Sequence, residues 1–193
     1  MRKFLFRVIC LVVLTHSVNP SFGQDVEDEY MMELARELFF GIPIKSNLSN
    51  SLSLLKQSNR VGNIAVTDNS VMATFISHPF LNIDSYKGDN GSGLVSLELL
   101  FQNDQIFERR IIVNNQTDLR AFNTLYDLLQ RVSFHIEKSP LSSNFHREST
   151  LFSAKDGRNL AHIELFYNST VLDHENTVET MDVVLAIYDN TLY

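Results

Sequence analysis

Apolar and polar positions alternate through residues 93–113 (GLVSLELLFQNDQIFERRIIV), a period-two pattern that predicts a β-hairpin. Val95, Leu97, Leu99 and Phe101 share one face; Ser96 and Glu98 share the other. A two-residue loop at Asn103 and Asp104 would set Leu97 opposite Arg110, an apolar–charged mismatch. A three-residue loop, 103–105, sets Val95 opposite Val113, Leu97 opposite Ile111 and Phe101 opposite Phe107. It also places Glu98 across from Arg110, an ion pair worth about 0.2–1 kcal/mol. A one-residue slip would exchange the faces, so burial selects the second register. Arg109 is the misfit on the inward face, expected near the sheet margin with its guanidinium reaching water.

The rest of the chain divides on the same criteria. A helix is predicted over 27–40, where Tyr30, Met31, Leu34, Leu38 and Phe39 form one stripe that Gly41 and Pro43 terminate. A weaker helix over 46–58 would turn Leu48, Leu52 and Leu55 inward, with a loop as the alternative. Strands follow at 60–67 and 71–77, then a glycine-rich surface loop over 82–93. The strongest helix pattern is 118–132, with Leu119, Phe122, Leu125, Tyr126, Leu129 and Val132 in a continuous stripe. Beyond it lie a strand at 133–137 with Phe134 and Ile136 inward, a loop at 140–146, and strands at 149–154 and 160–167 about a turn at 155–158. A polar loop is expected over 168–180. The closing strand, 181–188 (MDVVLAIY), is apolar on both faces and so suited to a central position.

Helix followed by four strands therefore occurs twice. Short turns between strands favour an α+β fold, an antiparallel β-sheet with helices packed on one face. The order resembles that of cystatin-like exported modules in topology alone, which implies nothing about activity. LVSLEL (94–99) and LAHIEL (160–165), each third in its half, match in pattern. A duplication of 24–114 into 115–193 is one reading of that match, and chance likeness of two apolar strands is the other.

The first 23 residues change the accounting. Arg2, Lys3 and Arg7 precede an apolar run at 9–14, and small residues follow, the layout of a signal peptide cleaved before Gln24. The run is too short to span a bilayer, so no direct membrane insertion is expected after cleavage. A single α+β domain would then occupy 24–193. Three of the 16 basic residues fall in the signal, leaving 13 against 23 acidic ones and a net charge of −10. That balance, without a basic cluster, disfavours nucleic acid as a partner. Cys10, the one cysteine, lies within the signal. Disulfide-free export suits a domain large enough to build its own core and favours a bacterial periplasmic or secreted protein. Sequons at Asn47, Asn90, Asn115 and Asn168 are about as many as chance supplies and decide nothing.

Catalytic templates find little purchase. Removal of the signal leaves no cysteine nucleophile. GDNGSG (88–93) sits in a loop feeding a strand rather than on the strand-to-helix turn of a serine hydrolase. No phosphate-cradling glycine motif follows a strand, and no cofactor is implied. No metal motif is present either: no two histidines have ligand spacing, and Asp84, Asp89 and Asn90 miss the calcium-loop pattern. One constellation remains. His162 and Glu164 lie two apart on the polar face of one strand, and His135 and Glu137 repeat the spacing on another. Adjacent strands would gather all four on one sheet face, whereas separated strands would leave them as solvated polar positions. The chain reads first as an exported non-enzymatic module for a protein or small-molecule ligand. The alternative is a hydrolase or metal-dependent enzyme built on those four residues.

Overall fold

The computed structural model describes residues 20–75, 78, 81, 95–116, 118–142, 147–171 and 177–192. Helices α1 (Pro20–Leu38) and α2 (Leu48–Gln57) precede strands β1 (Val61–Val66), β2 (Ser70–Phe75), β3 (Val95–Gln102) and β4 (Gln105–Gln116). Helix α3 (Arg120–Leu129) precedes β5 (His135–Ser142), β6 (Arg147–Ser153), β7 (Asn159–Val171) and β8 (Thr177–Tyr188), and a 3₁₀ turn (Asp189–Thr191) follows. All eight strands form one antiparallel sheet in the order β1-β2-β3-β4-β8-β7-β6-β5, with the helices against one face. Among the described residues no helix is long and apolar enough to cross a membrane. α1 begins four residues ahead of Gln24, so the expected cleavage point falls within its first turns.

The two four-strand meanders join through their last strands, β4 and β8. Their pairing register is two-fold symmetric about Ile111↔Leu185, with Arg109↔Ile187 and Val113↔Val183 as the flanking equivalents. The symmetry extends outward: Ser96 pairs with Ile112 as His162 pairs with Ala186, and Glu98 with Arg110 as Glu164 with Val184. It is a symmetry of hydrogen bonding; a duplication is not shown by it. Burial explains why the strands meet here. Ala73, Leu97, Ile111, Leu185 and Ile163 form one cross-strand row, each at most 1 % exposed.

The opening hairpin keeps its expected register and gets there by a different turn. Val95↔Val113, Leu97↔Ile111 and Glu98↔Arg110 all pair as burial requires. Asn103 and Asp104 both have positive φ (53° and 60°), the two-residue type I′ turn that suits strand twist. A bulge reconciles the two. Leu100 faces Glu108 while Phe101 faces Ile106, leaving Phe107 as the extra residue and Ile106 as the buried partner.

Arg109 contradicts the expectation of a solvated margin, because its side chain is wholly buried. Its Nε and Nη2 donate to Asp189 Oδ1 and Oδ2 at 2.6 and 2.8 Å. Its Nη1 donates to the Ile42 carbonyl at 2.7 Å and its Nη2 also to that of Pro43 at 2.5 Å. Asp189 Oδ2 accepts from the Lys45 amide at 2.9 Å, and the Phe39 ring lies 5.7 Å from the guanidinium. The α1–α2 connection turns sharply, with Phe40, Gly41 and Lys45 at positive φ, so its carbonyls face the core rather than a ladder. An inward arginine supplies the donors those carbonyls need.

Three other expectations need correction. β5 runs through Pro140 to Ser142 rather than ending at 137, and as an edge strand it tolerates the proline. Phe134 and Ile136 are 53 % and 39 % exposed, at the terminal strand of the sheet order. The polar stretch 168–180 is largely strand: Asn168↔Thr180 through Val171↔Thr177 continue the β7–β8 ladder. Backbone pairing there does not need apolar side chains. The expected loop over 82–93 lies outside the described residues.

His78 is a buried imidazole whose Nε2 lies 2.9 Å from the Leu38 carbonyl, with the rings of Phe40 and Phe75 about it. Burial lowers its pKa, and the Leu38 contact only partly opposes this. The unfolded imidazole takes up a proton as pH falls through about 6.5, while the folded one resists, so stability declines below that pH. Urea midpoints measured from about pH 7.5 to about pH 5 should fall, and less steeply in His78→Gln. Equal slopes would remove His78 as a cause.

Candidate functional site

The face of the sheet opposite helices α1, α2 and α3 carries a pocket of about 430 Å³ over β8, walled by β4 and β7. Strand alternation builds it. On β7, Ala161, Ile163 and Leu165 enter the core, so His162, Glu164 and Phe166 point outward. On β8, Val183, Leu185 and Ile187 are inward, which turns Val184 and Tyr188 to the pocket; β4 adds Glu108, Arg110 and Ile112. Arg147 of β6 pairs with Phe166 across the ladder and reaches the rim.

The polar side chains form a chain of contacts. Tyr188 Oη is hydrogen-bonded to His162 Nδ1, and His162 Nε2 lies 3.5 Å from Glu164 Oε1. The same Glu164 oxygen is ion-paired with Arg147. With the phenol donating to Nδ1, the neutral ring carries its proton on Nε2, facing Glu164. Across β8, Arg110 Nε donates to Glu108 at 2.6 Å and Arg110 Nη1 to Glu98 at 3.1 Å. The predicted Glu98–Arg110 pair is therefore present, and part of a larger network.

Burial and charge tune the titrating groups. Burial is the main cause holding the His162 pKa below its ordinary value; Arg110 and Arg147 add to the effect and Glu108 opposes it. Burial, then the nearby Glu108 carboxylate, pushes the Tyr188 phenol up. His162 is thus a neutral acceptor–donor at neutral pH, and Tyr188 a protonated donor.

The sheet brings together half of the constellation read from the sequence. His162 and Glu164 are in contact, whereas His135 and Glu137 stand on β5 with β6 intervening. Glu137 pairs with Leu151, which pairs with His162, so Glu137 shares the open face but lies two strands away. Both β5 residues are exposed. Among the described residues no three His, Cys, Asp or Glu side chains converge to hold a metal ion.

Tyr188, Arg147 and Glu108 were not legible as site residues. Each is an alternating polar position, and only the β4–β8–β7–β6 adjacency joins them. The two-fold register provides a comparison within the molecule. Equivalent positions in the first half hold Ser96 for His162 and Asn114 for Tyr188, while Glu98 matches Glu164. The backbone frame is repeated and the imidazole–phenol pair is not, so sheet geometry alone does not account for the cluster.

Compared with protein-family models, with curated protein sequences and with solved structures, the chain shows no significant match.

Proposed function

We propose that the protein is an exported binding module that holds a small-molecule ligand on the open face of its sheet. The supporting observation is the pocket itself, in which the Tyr188–His162–Glu164–Arg147 chain stands beside Ile112, Val184 and Phe166. Its volume lies in the lower part of the roughly 300–1,000 Å³ range of ligand sites, and a few convergent polar groups beside apolar walls are what such sites use. The leader-like N-terminus and the absence of cysteine after it support export.

A hydrolase reading has one observation in its favour, an imidazole set between a hydroxyl and a carboxylate. The environment argues for binding instead. The phenol is held protonated, Glu164 is engaged by Arg147, and the pocket floor is a β-ladder whose amides are already paired. An oxyanion formed there would find no backbone donors.

The test is to add the low-molecular-weight fraction of the cells that make the protein to ¹⁵N-labelled protein. Amide shifts should concentrate on β4, β7 and β8, and Val184→Phe, which fills the pocket from its floor, should abolish them. Shifts confined to the helix side, or none, would contradict the proposal.

A further inference from the structure

The apolar side of the pocket ends on a cation. Ile112 and Val184 are cross-strand partners, Phe166 lies beside them on β7, and the Arg147 guanidinium is 5.2 Å from the Phe166 ring centroid. The two arginines of the pocket are not equivalent. Arg110, 36 % exposed, is engaged by two carboxylates. Arg147 is 46 % exposed, and its carboxylate partner, Glu164, is the one whose Oε1 also faces His162. An incoming anion competes with half a share of one carboxylate at Arg147 and with two at Arg110.

Building on the pocket as a ligand site, we propose that it takes a small amphipathic carboxylate and that protonation of His162 strengthens this binding. The apolar body lies against Ile112, Val184 and Phe166, and the carboxylate sits on Arg147 in a charge-assisted, fork-shaped hydrogen bond.

The charges around the ring explain the coupling. His162 is faced by Glu108 and Arg110 from β4, Arg147 from β6, Glu164 from its own strand and Tyr188 from β8. Glu137 stands farther out on the same face, beyond Leu151. With the imidazole neutral, Glu98, Glu108 and Glu164 outnumber Arg110 and Arg147 by one negative charge; a proton on His162 brings the cluster to neutrality. A protonated ring also donates through both nitrogens. Its Nε2 draws Glu164 Oε1 from Arg147, releasing the guanidinium for the ligand. Its Nδ1 turns the Tyr188 oxygen into an acceptor and frees the phenol hydrogen to point at the ligand. A bound carboxylate in turn favours the imidazolium, so affinity rises as pH falls.

Benzoate serves as the probe, with benzyl alcohol and benzylamine as uncharged and cationic analogues of similar shape, followed by amide shifts of the ¹⁵N-labelled protein. Benzoate should bind at β4, β7 and β8, more tightly than either analogue, with affinity rising about threefold from about pH 8 to about pH 5.5. Arg147→Gln, with its folding checked in the same spectra, should weaken binding at least about tenfold. His162→Gln should still bind benzoate and lose the pH dependence. Preference for benzylamine or benzyl alcohol at the same amides would overturn the carboxylate assignment while leaving a ligand pocket. Benzoate binding that is indifferent to Arg147→Gln, or absent from the pocket, would also overturn it; the native-fraction test decides the pocket separately.

Discussion

Replacing Arg109 with methionine is expected to lower the unfolding free energy by about 3–5 kcal/mol, the usual cost of breaking a fully buried ion pair. The arginine donates to both oxygens of Asp189 and to the Ile42 carbonyl away from water, and to the Pro43 carbonyl at a part-buried position. Without it, the buried Asp189 carboxylate is left with the Lys45 amide and no counter-charge, and the buried Ile42 carbonyl loses the guanidinium. Arg109→Lys should recover only part of the loss, since an ammonium cannot present the planar fork that meets Asp189 through Nε and Nη2. Arg109→Met combined with Asp189→Leu should be less destabilised than Arg109→Met alone, because the orphaned charge is then removed. Urea unfolding of the three variants measures this. A loss below about 1 kcal/mol for Arg109→Met would mean that solvent reaches the pair.

Leu185→Ala is expected to cost about 2–5 kcal/mol, the range for deleting a fully buried leucine. Its side chain is 0 % exposed and stands on the symmetry centre of the sheet, opposite Ile111 on β4 and Ile163 on β7. The cavity opens at the joint of the two meanders, so both halves should lose stability as one unit. Circular dichroism and tyrosine fluorescence should keep coincident transitions in urea. Separated transitions would show that the halves unfold independently and that the β4–β8 joint does not couple them.

Most of the architecture follows from local pattern. Period-two alternation placed Val95, Leu97 and Leu99 inward, and the 3.6-residue stripe of α3 placed Leu125 and Leu129. Tertiary demands overrode pattern in three places. Arg109 is inward because the carbonyls of a distant turn need its donors, and nothing near it in the chain signals that turn. Phe134 and Ile136 follow the alternation of a buried strand, yet β5 ends up at the sheet margin. Residues 168–180 are polar, and a ladder between long neighbouring strands still orders most of them. The site was half legible for a related reason. His162 and Glu164 are two apart on one strand, so alternation alone puts them together. Whether His135 and Glu137 joined them depended on strand order, and Tyr188, Arg147 and Glu108 became neighbours only through pairings far apart in sequence.

His162 and His135 offer two reporters in one molecule, one within the pocket and one exposed on β5. The most direct measurement follows the imidazole carbon-bound proton resonances of both while the low-molecular-weight fraction of the native cells is added. A ligand held on the open face should move His162 and leave His135 in place. Movement of His135 with His162 unchanged would put the binding surface elsewhere and contradict the account.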